Sequence, residues 1–217
     1  MSAVRPEFGP TLPELLGPRI RVLPRAARLA LAAVGALVVL LLLWALFLRG
    51  EGETVKKRAV IVRRPVAFNF VYRHPFRKQA PLAGELARVG SKEQSFSVRE
   101  LALPAYGGDA AGFLPLYAAT LEKQMAKDLP GFVWRSDGRA NINKQQGFEI
   151  VFQFRRGDGT LMYGRRILLL PSVTSRQGAD IWVAAPRSPA IVRADDVGHN
   201  GGLKTALRSF RFGTERP

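Results

Sequence analysis

Two histidines, His74 and His199, and no cysteine are what this 217-residue chain offers for metal, thiol or imidazole chemistry. The lack of Cys removes disulfides, thiol nucleophiles, Cys-based metal sites and a lipidated N-terminal thiol together. A metal site wants three or four ligands, and no paired His stands at helical or finger spacing, so no metal is expected. A Ser-His-Asp set can be assembled from Ser95, His74 and Asp109, but no Gly-x-Ser-x-Gly elbow accompanies any serine. Asp195-Asp196 could work as acid and base; adjacent side chains diverge, and a capping or solvated role in a loop is the simpler reading. Gly198-x-x-Gly201-Gly202-x-Lys204-Thr205 has the glycines of a phosphate loop without its spacing, and no buried strand leads into it. Gly202 could hold an anion weakly at a helix start, but a loop before a short helix is the plainer reading. These residues lead us to expect no catalytic residue and no cofactor.

Charge is the stronger signal. From residue 50 onward 27 Lys and Arg face 15 Asp and Glu, within a whole-chain net charge of +16. Such a surface favours anions: phospholipid head groups, acidic envelope polymers, nucleic acid or an acidic protein. Two groups stand out as anion contacts. Lys56, Lys57 and Arg58 form a run that either meets anionic lipid, at about 1 kcal/mol per base, or simply opens a solvated domain. Arg165 and Arg166 interrupt an apolar strand, where alternation sends them to opposite faces. A half-buried Arg needs a partner: Glu149 or Gln153 across a hairpin is the plain choice, and a bound anion the sharper one. Nucleic acid is not expected as a partner, because no aromatic RNP pattern, zinc finger or heptad-linked basic region is present.

The elements that must position these residues follow from periodicity. Val60 and Val62, then Val66, Phe68, Phe70 and Tyr72, alternate around Pro65, which predicts a first strand over Val66 to Tyr72. A second strand runs from Gln94 to Leu101. Phe113, Leu116, Tyr117, Thr120, Leu121 and Met125 recur at three and four, predicting a helix over about Gly112 to Leu129, with Pro115 in its first turn and Pro130-Gly131 as its stop. Phe148, Ile150, Phe152 and Phe154 alternate with Glu149, Val151, Gln153 and Arg155. Gly157-Asp158-Gly159 then turns into Leu161 to Leu170, a hairpin with one packed and one solvent face. Weaker strands lie over Phe132 to Arg139 and Ala179 to Ala185, and Leu203, Leu207 and Phe210 share the face of a last short helix. The class is α+β: an antiparallel sheet with flanking helices.

Several of these segments carry a resemblance: Phe68-Asn69-Phe70-x-Tyr72, the central helix, Gly147-Phe148-Glu149-Ile150-x-Phe152, Tyr163-Gly164-Arg165-x-Ile167-Leu168-Leu169-Leu170-Pro171 and Leu207-x-Ser209-Phe210-Arg211-Phe212-Gly213. Over about residues 60 to 213 the chain resembles an uncharacterised family of single-pass actinobacterial membrane proteins whose soluble part is similar to PsbP-like domains. The resemblance implies an α-β-α sandwich used as a binding or accessory module, with no catalytic residues to carry over.

What tethers such a module is legible upstream. Leu29 to Leu48 are twenty residues without a charge, thirteen of them Leu, Val or Phe, with Leu37, Leu43 and Trp44 inside the run. At 1.5 Å per residue they span about 30 Å, the thickness of the hydrocarbon core. Insertion is favoured by at most about 4 to 8 kcal/mol. A signal peptide would be shorter and end in small residues; here Trp44-Ala45-Leu46-Phe47-Leu48-Arg49 offers no cleavage site. A single transmembrane helix over 29–48 is therefore expected, after an irregular tail 1–28 with five prolines, and before a linker 49–58 and one α+β domain over 59–217. Bases flank both ends, but the short tail is the flank that the positive-inside bias counts. The N-terminus is expected in the cytoplasm and the domain outside the plasma membrane.

The resulting expectation is a membrane-anchored extracytoplasmic accessory domain, not an enzyme, whose partners are the bilayer and a protein or anionic envelope polymer or lipid. The alternatives are an envelope-associated hydrolase and a cytoplasm-facing module for nucleic acid or anionic lipid. Ala32-x-x-x-Ala36 permits close helix packing, a spacing expected by chance in an alanine-rich helix, so oligomeric state is open.

Overall fold

A computed structural model of the chain describes residues 24–27, 33–41 and 57–215. The chain divides into two units, Met1–Thr54 and Val55–Pro217. In the first, residues 33–41 are helical and their apolar side chains lie exposed, Leu37 at 59 %. Among the described residues no helix is long and apolar enough to cross a membrane. Leu29, Leu43, Trp44 and Leu48 lie outside them, as does Lys56.

The second unit is built on a seven-stranded antiparallel sheet. Its strands are β3 (Arg77–Gln79), β4 (Glu85–Gly90), β5 (Ser95–Ala102), β6 (Val133–Ile142), β7 (Gln145–Arg155), β8 (Leu161–Leu169) and β9 (Gln177–Pro186), in the order β3-β4-β5-β9-β8-β7-β6. A smaller sheet joins β1 (Arg58–Val62), β2 (Phe68–Tyr72) and β10 (Arg211–Phe212), with β2 in the middle. Two α-helices, α1 (Ala110–Asp128) and α2 (Lys204–Ser209), and a 3-10 turn at Ala194–Asp196 complete the unit.

Alternation along each strand sorts the core into two layers. Phe96, Val98, Val151, Ile167, Ile181 and Val183 face the small sheet and α2, meeting Phe68, Phe70, Leu207 and Phe210. Phe148, Ile150, Phe152 and Leu168 face α1, meeting Leu114, Ala118, Leu121 and Met125. Burying one such side chain stabilises by about 1.5 to 3 kcal/mol, so each face must be covered to be apolar. The α+β class and antiparallel sheet hold. The second covering layer is chiefly a three-stranded sheet with one six-residue helix, where a sandwich of two helical layers was expected.

Local chemistry explains most boundaries. Asp109 caps α1, its Oδ1 accepting from the Ala111 amide at 3.2 Å, so the helix starts two residues before the expected Gly112. Pro115 consequently falls in the second turn, not the first. The β7–β8 hairpin closes as expected: the Gly159 amide donates to Arg156 O at 2.8 Å, and Gly159 holds φ 83°. The expected first strand, Val66 to Tyr72, is β2, shortened to Phe68–Tyr72; β1, on the other side of Pro65, and β3 and β4 were not expected as strands. The face bearing Glu149, Val151 and Gln153 is not a solvent face. Val151 is 3 % exposed under the layer that the small sheet contributes.

Candidate functional site

An α-helix is about 10 Å across and strands lie about 4.8 Å apart, so one helix covers about two strands. α1 lies over β7 and β6. The same face of β4, β5 and β9 stays open beside it, and that is where the sheet turns polar.

On β5 the open face carries Ser95, Ser97 and Arg99, while Phe96 and Val98 point into the core. β9 contributes Trp182 and Ala184, and β8 contributes Met162 and Arg166. The result is a cleft of about 330 Å³ over β4, β5 and β9, beside a second hollow of about 220 Å³ at the C-terminal end of α1. Both are lined by Arg99 and Trp182. Five cationic side chains, Arg88, Lys92, Arg99, Arg156 and Arg166, line the two hollows, against Glu85, Glu93 and Asp128. A third hollow, about 570 Å³ between the start of α1 and the β6–β7 hairpin, has Arg139 as its one lining cation.

Trp182 is half-buried, packed against Phe152 (ring centroids 5.0 Å apart, tilted by 58°) and edge-on to Phe154 (6.3 Å), with the Arg166 guanidinium carbon 5.9 Å from its ring centre. The cluster depends on Gly164. A Cβ there would sit 2.4 Å from the Phe152 ring. Arg166 is held in turn by Asp180: Nε donates to Oδ1 at 2.9 Å and Nη2 to Oδ2 at 2.6 Å, a bidentate fork.

Glu85, its side chain 2 % exposed, anchors the other wall. It accepts from the Leu82 amide and from Arg88 Nη1, both at 2.9 Å. Burial alone would raise its pKa. The hydrogen bonds from Leu82, Ser97 and Arg88, with the Arg88 charge, outweigh that and hold the carboxyl below the ordinary glutamate value. Arg99, 44 % exposed at its side chain, comes within 3.9 Å of Glu85 and keeps the rest of its fork toward solvent. This geometry suits a flat apolar group against Trp182 together with negative charge near Arg99 and Lys92.

The residues singled out from the sequence distribute elsewhere. Arg165, 3 % exposed, donates from Nε to Glu149 Oε2 at 3.0 Å and from Nη1 to Val197 O at 3.3 Å, so the carboxylate across the hairpin is its partner. Arg166 takes Asp180 of β9, on the neighbouring strand to the other side, where Glu149 or Gln153 of β7 was expected. Lys57 and Arg58 are exposed at the start of β1. Asp196 caps its own loop, accepting from the Val192 and Arg193 amides at 3.0 and 2.8 Å, and Asp195 accepts from Ser136 Oγ at 3.3 Å. Gly198 and Gly201 have φ of 76° and 71° in the loop that leads to α2. Asp109 is engaged as the cap of α1, while Ser95 lies on β5 and His74 in the turn after β2. His199 is kept below the ordinary histidine value by burial and then by the Arg165 charge. Among the described residues no group of three or more His, Asp and Glu gathers as for a metal ion.

Trp182, Arg99, Arg88 and Glu85 escaped the sequence reading as a group. The signal for part of it was present in β5, where Ser95, Ser97 and Arg99 occupy alternate positions opposite Phe96 and Val98.

No protein-family model matches the chain, and no curated protein matches it. Similar solved structures include LpqN of Mycobacterium tuberculosis, described as involved in cell envelope biogenesis. It shares 11 % identity at a TM-score of 0.48, over 74 % of this chain and 92 % of LpqN. The cyanobacterial PsbP of Synechocystis sp. PCC 6803 shares 13 % identity at a TM-score of 0.44, over 76 % and 96 %. PA94 of Pseudomonas aeruginosa, a protein of unknown function, shares 15 % at 0.34, over 62 % and 84 %. Likenesses at these values transfer no role to this chain.

Proposed function

We propose that the chain is a membrane-anchored accessory module: residues 29–48 cross the plasma membrane once, the tail lies in the cytoplasm, and the α+β domain binds a protein or anionic envelope component outside. One observation carries the binding role, the cleft over β5 and β9 with Trp182 as its platform and Arg99 at its lip. A solvent-facing sheet surface needs polar residues but has no need of a half-exposed indole with Arg166 5.9 Å from its ring centre and Arg99 lining the same two hollows, and aromatic and Arg side chains are the ones that anchor interfaces. The anchor rests on the length and apolarity of 29–48 and is in keeping with the exposed apolar side chains of residues 33–41. A binding role is preferred to hydrolysis because Glu85 and Asp180 are held by Arg88 and Arg166, the other two acids, Glu93 and Asp128, line different hollows, and neither histidine lines either one.

The test is affinity capture with full-length protein in mild detergent, comparing the natural chain with Arg99→Glu/Lys92→Glu, alongside protease accessibility in intact cells. The reading expects one partner that is enriched on the natural chain and lost on the charge-reversed one, and a domain cleavable from outside. Equal capture by both, or a shielded domain, would overturn it.

A further inference from the structure

The cations that begin the domain belong to a larger surface than their sequence run. Between Glu53 and Glu85 the chain holds eight Lys and Arg and no Asp or Glu. Arg63 and Arg64 lie past the far end of β1, but the fold gathers most of the others. β1 pairs antiparallel with β2 in a register that sets Arg58 beside Tyr72, so Lys57 and Arg58 at the start of β1 stand at the same end as Arg73, just past the end of β2. The chain then turns tightly, the Phe76 amide donating to Arg73 O at 3.0 Å, and enters β3 at Arg77 and Lys78. Phe76 is the nail of this turn, 6 % exposed, its ring lying over Gly202, where a Cβ would come within 2.2 Å of it. Lys57, Arg58, Arg73, His74, Arg77 and Lys78 are all exposed, and none of the Lys and Arg among them makes an ion pair within the described residues.

A cation-rich end of this kind is costly to keep in water and gains most where negative charge is dense and flat. The chain also restricts where that end can go. Only nine residues, 49–57, separate Leu48 from Arg58, a reach of at most about 32 Å. We infer that the Lys57–Arg58–Arg73–Arg77 end of the small sheet docks the domain onto anionic phospholipid head groups of the bilayer that holds its anchor. This rests on the anchored reading above and adds to it a posture: the domain lies against the membrane by its β1–β2–β3 end.

Because the chain has no Cys, a single label can report the posture. Full-length protein carrying His74→Cys, or Lys123→Cys on α1 across the large sheet, is labelled with a fluorophore and inserted into nanodiscs with head-group-quencher lipid. The expected result is strong quenching at position 74 in nanodiscs containing phosphatidylglycerol, reduced about threefold or more in pure phosphatidylcholine or about 0.5 M salt. Position 123 stays bright throughout. Adding Arg58→Glu, Arg73→Glu and Arg77→Glu removes the quenching at 74, since each base contributes about fivefold to the docked population. As these side chains are exposed, circular dichroism of the triple variant and of its Gln counterpart should match the parent, with the Gln form intermediate in quenching. Equal quenching in neutral and anionic nanodiscs, or at 74 and 123 alike, overturns docking while leaving the anchor standing. A chain that does not co-elute with nanodiscs removes the anchor, and docking with it.

Discussion

Arg165 donates from Nε to Glu149 Oε2 at 3.0 Å, tying β8 to β7 diagonally on the face that the small sheet covers. The guanidinium is 4 % exposed at its side chain and the carboxylate 18 %. Removing one partner of a buried pair leaves a charge without compensation, so Glu149→Ala costs about 3 kcal/mol, measured by urea unfolding in mild detergent. Glu149→Gln keeps an oxygen acceptor and costs less. Equal losses for the two would mean that packing, not charge, is what Glu149 supplies.

Gly164→Ala destabilises by about 1 to 3 kcal/mol, the usual cost of overpacking. Its Cβ would press into the Phe152 ring, which packs at a tilt against Trp182, so the near-ultraviolet circular dichroism of the aromatic cluster changes with it. A variant of unchanged stability and spectrum would sink the idea that this glycine seats the ring.

Arg99→Gln leaves stability within about 0.5 kcal/mol, because the side chain is exposed and 3.9 Å from its nearest carboxylate. Binding of the anionic partner captured by the full chain weakens about five- to tenfold, and its salt dependence becomes shallower. Unchanged affinity by titration would move the contact surface away from the cleft.

Glu85 gives the domain a sensitivity to acid. Its folded-state pKa lies below the ordinary value, so its contribution to stability is complete above the glutamate range. That contribution is lost as pH falls through the depressed folded value. The unfolding midpoint of the natural chain should therefore drop more steeply below about pH 4.5 than that of Glu85→Gln, which has no proton to take up. Parallel curves would count against a native-state shift.

The β6–β7 hairpin turns through Asn143 and Lys144, with φ of 50° and 68°. A two-residue turn with both φ positive strongly prefers Gly at its second position. Lys144→Gly should therefore stabilise by about 0.5 to 1 kcal/mol in thermal or urea unfolding, whereas Lys144→Val should destabilise.

That hairpin also shows where sequence reading stops. Gly157-Asp158-Gly159 announces the β7–β8 turn by composition, while Asn143-Lys144 makes a tighter, two-residue turn with a residue that does not advertise it. The β7 and β8 strands were legible from alternation and the presence of α1 from recurrence at three and four, but its buried stripe is Ala110, Leu114, Ala118, Leu121 and Met125, with the expected Leu116 and Thr120 exposed. β4 was not, since Glu85 and Arg88 in Glu85–Gly90 look like a loop until the cleft they line is known. The solvent face assigned to Glu149, Val151 and Gln153 failed for another reason: its cover comes from residues some eighty positions upstream and fifty downstream, and periodicity cannot name a distant lid. The candidate site shares that origin. Trp182 and Arg99 meet because β5 and β9 are neighbours, with Arg99 opposite Asp180.

The two outermost strands of the large sheet have a consequence for the molecule in crowded company. β3 is three residues long and begins with Arg77 and Lys78; β6 is long but broken by a bulge between Trp134 and Ser136, and it alternates Arg135, Asp137 and Arg139 along its length. Neither rim offers a straight, uncharged row of amides and carbonyls on which a stranger's backbone could template itself. Copies gathered at high density are thereby discouraged from zipping rim to rim into fibrils.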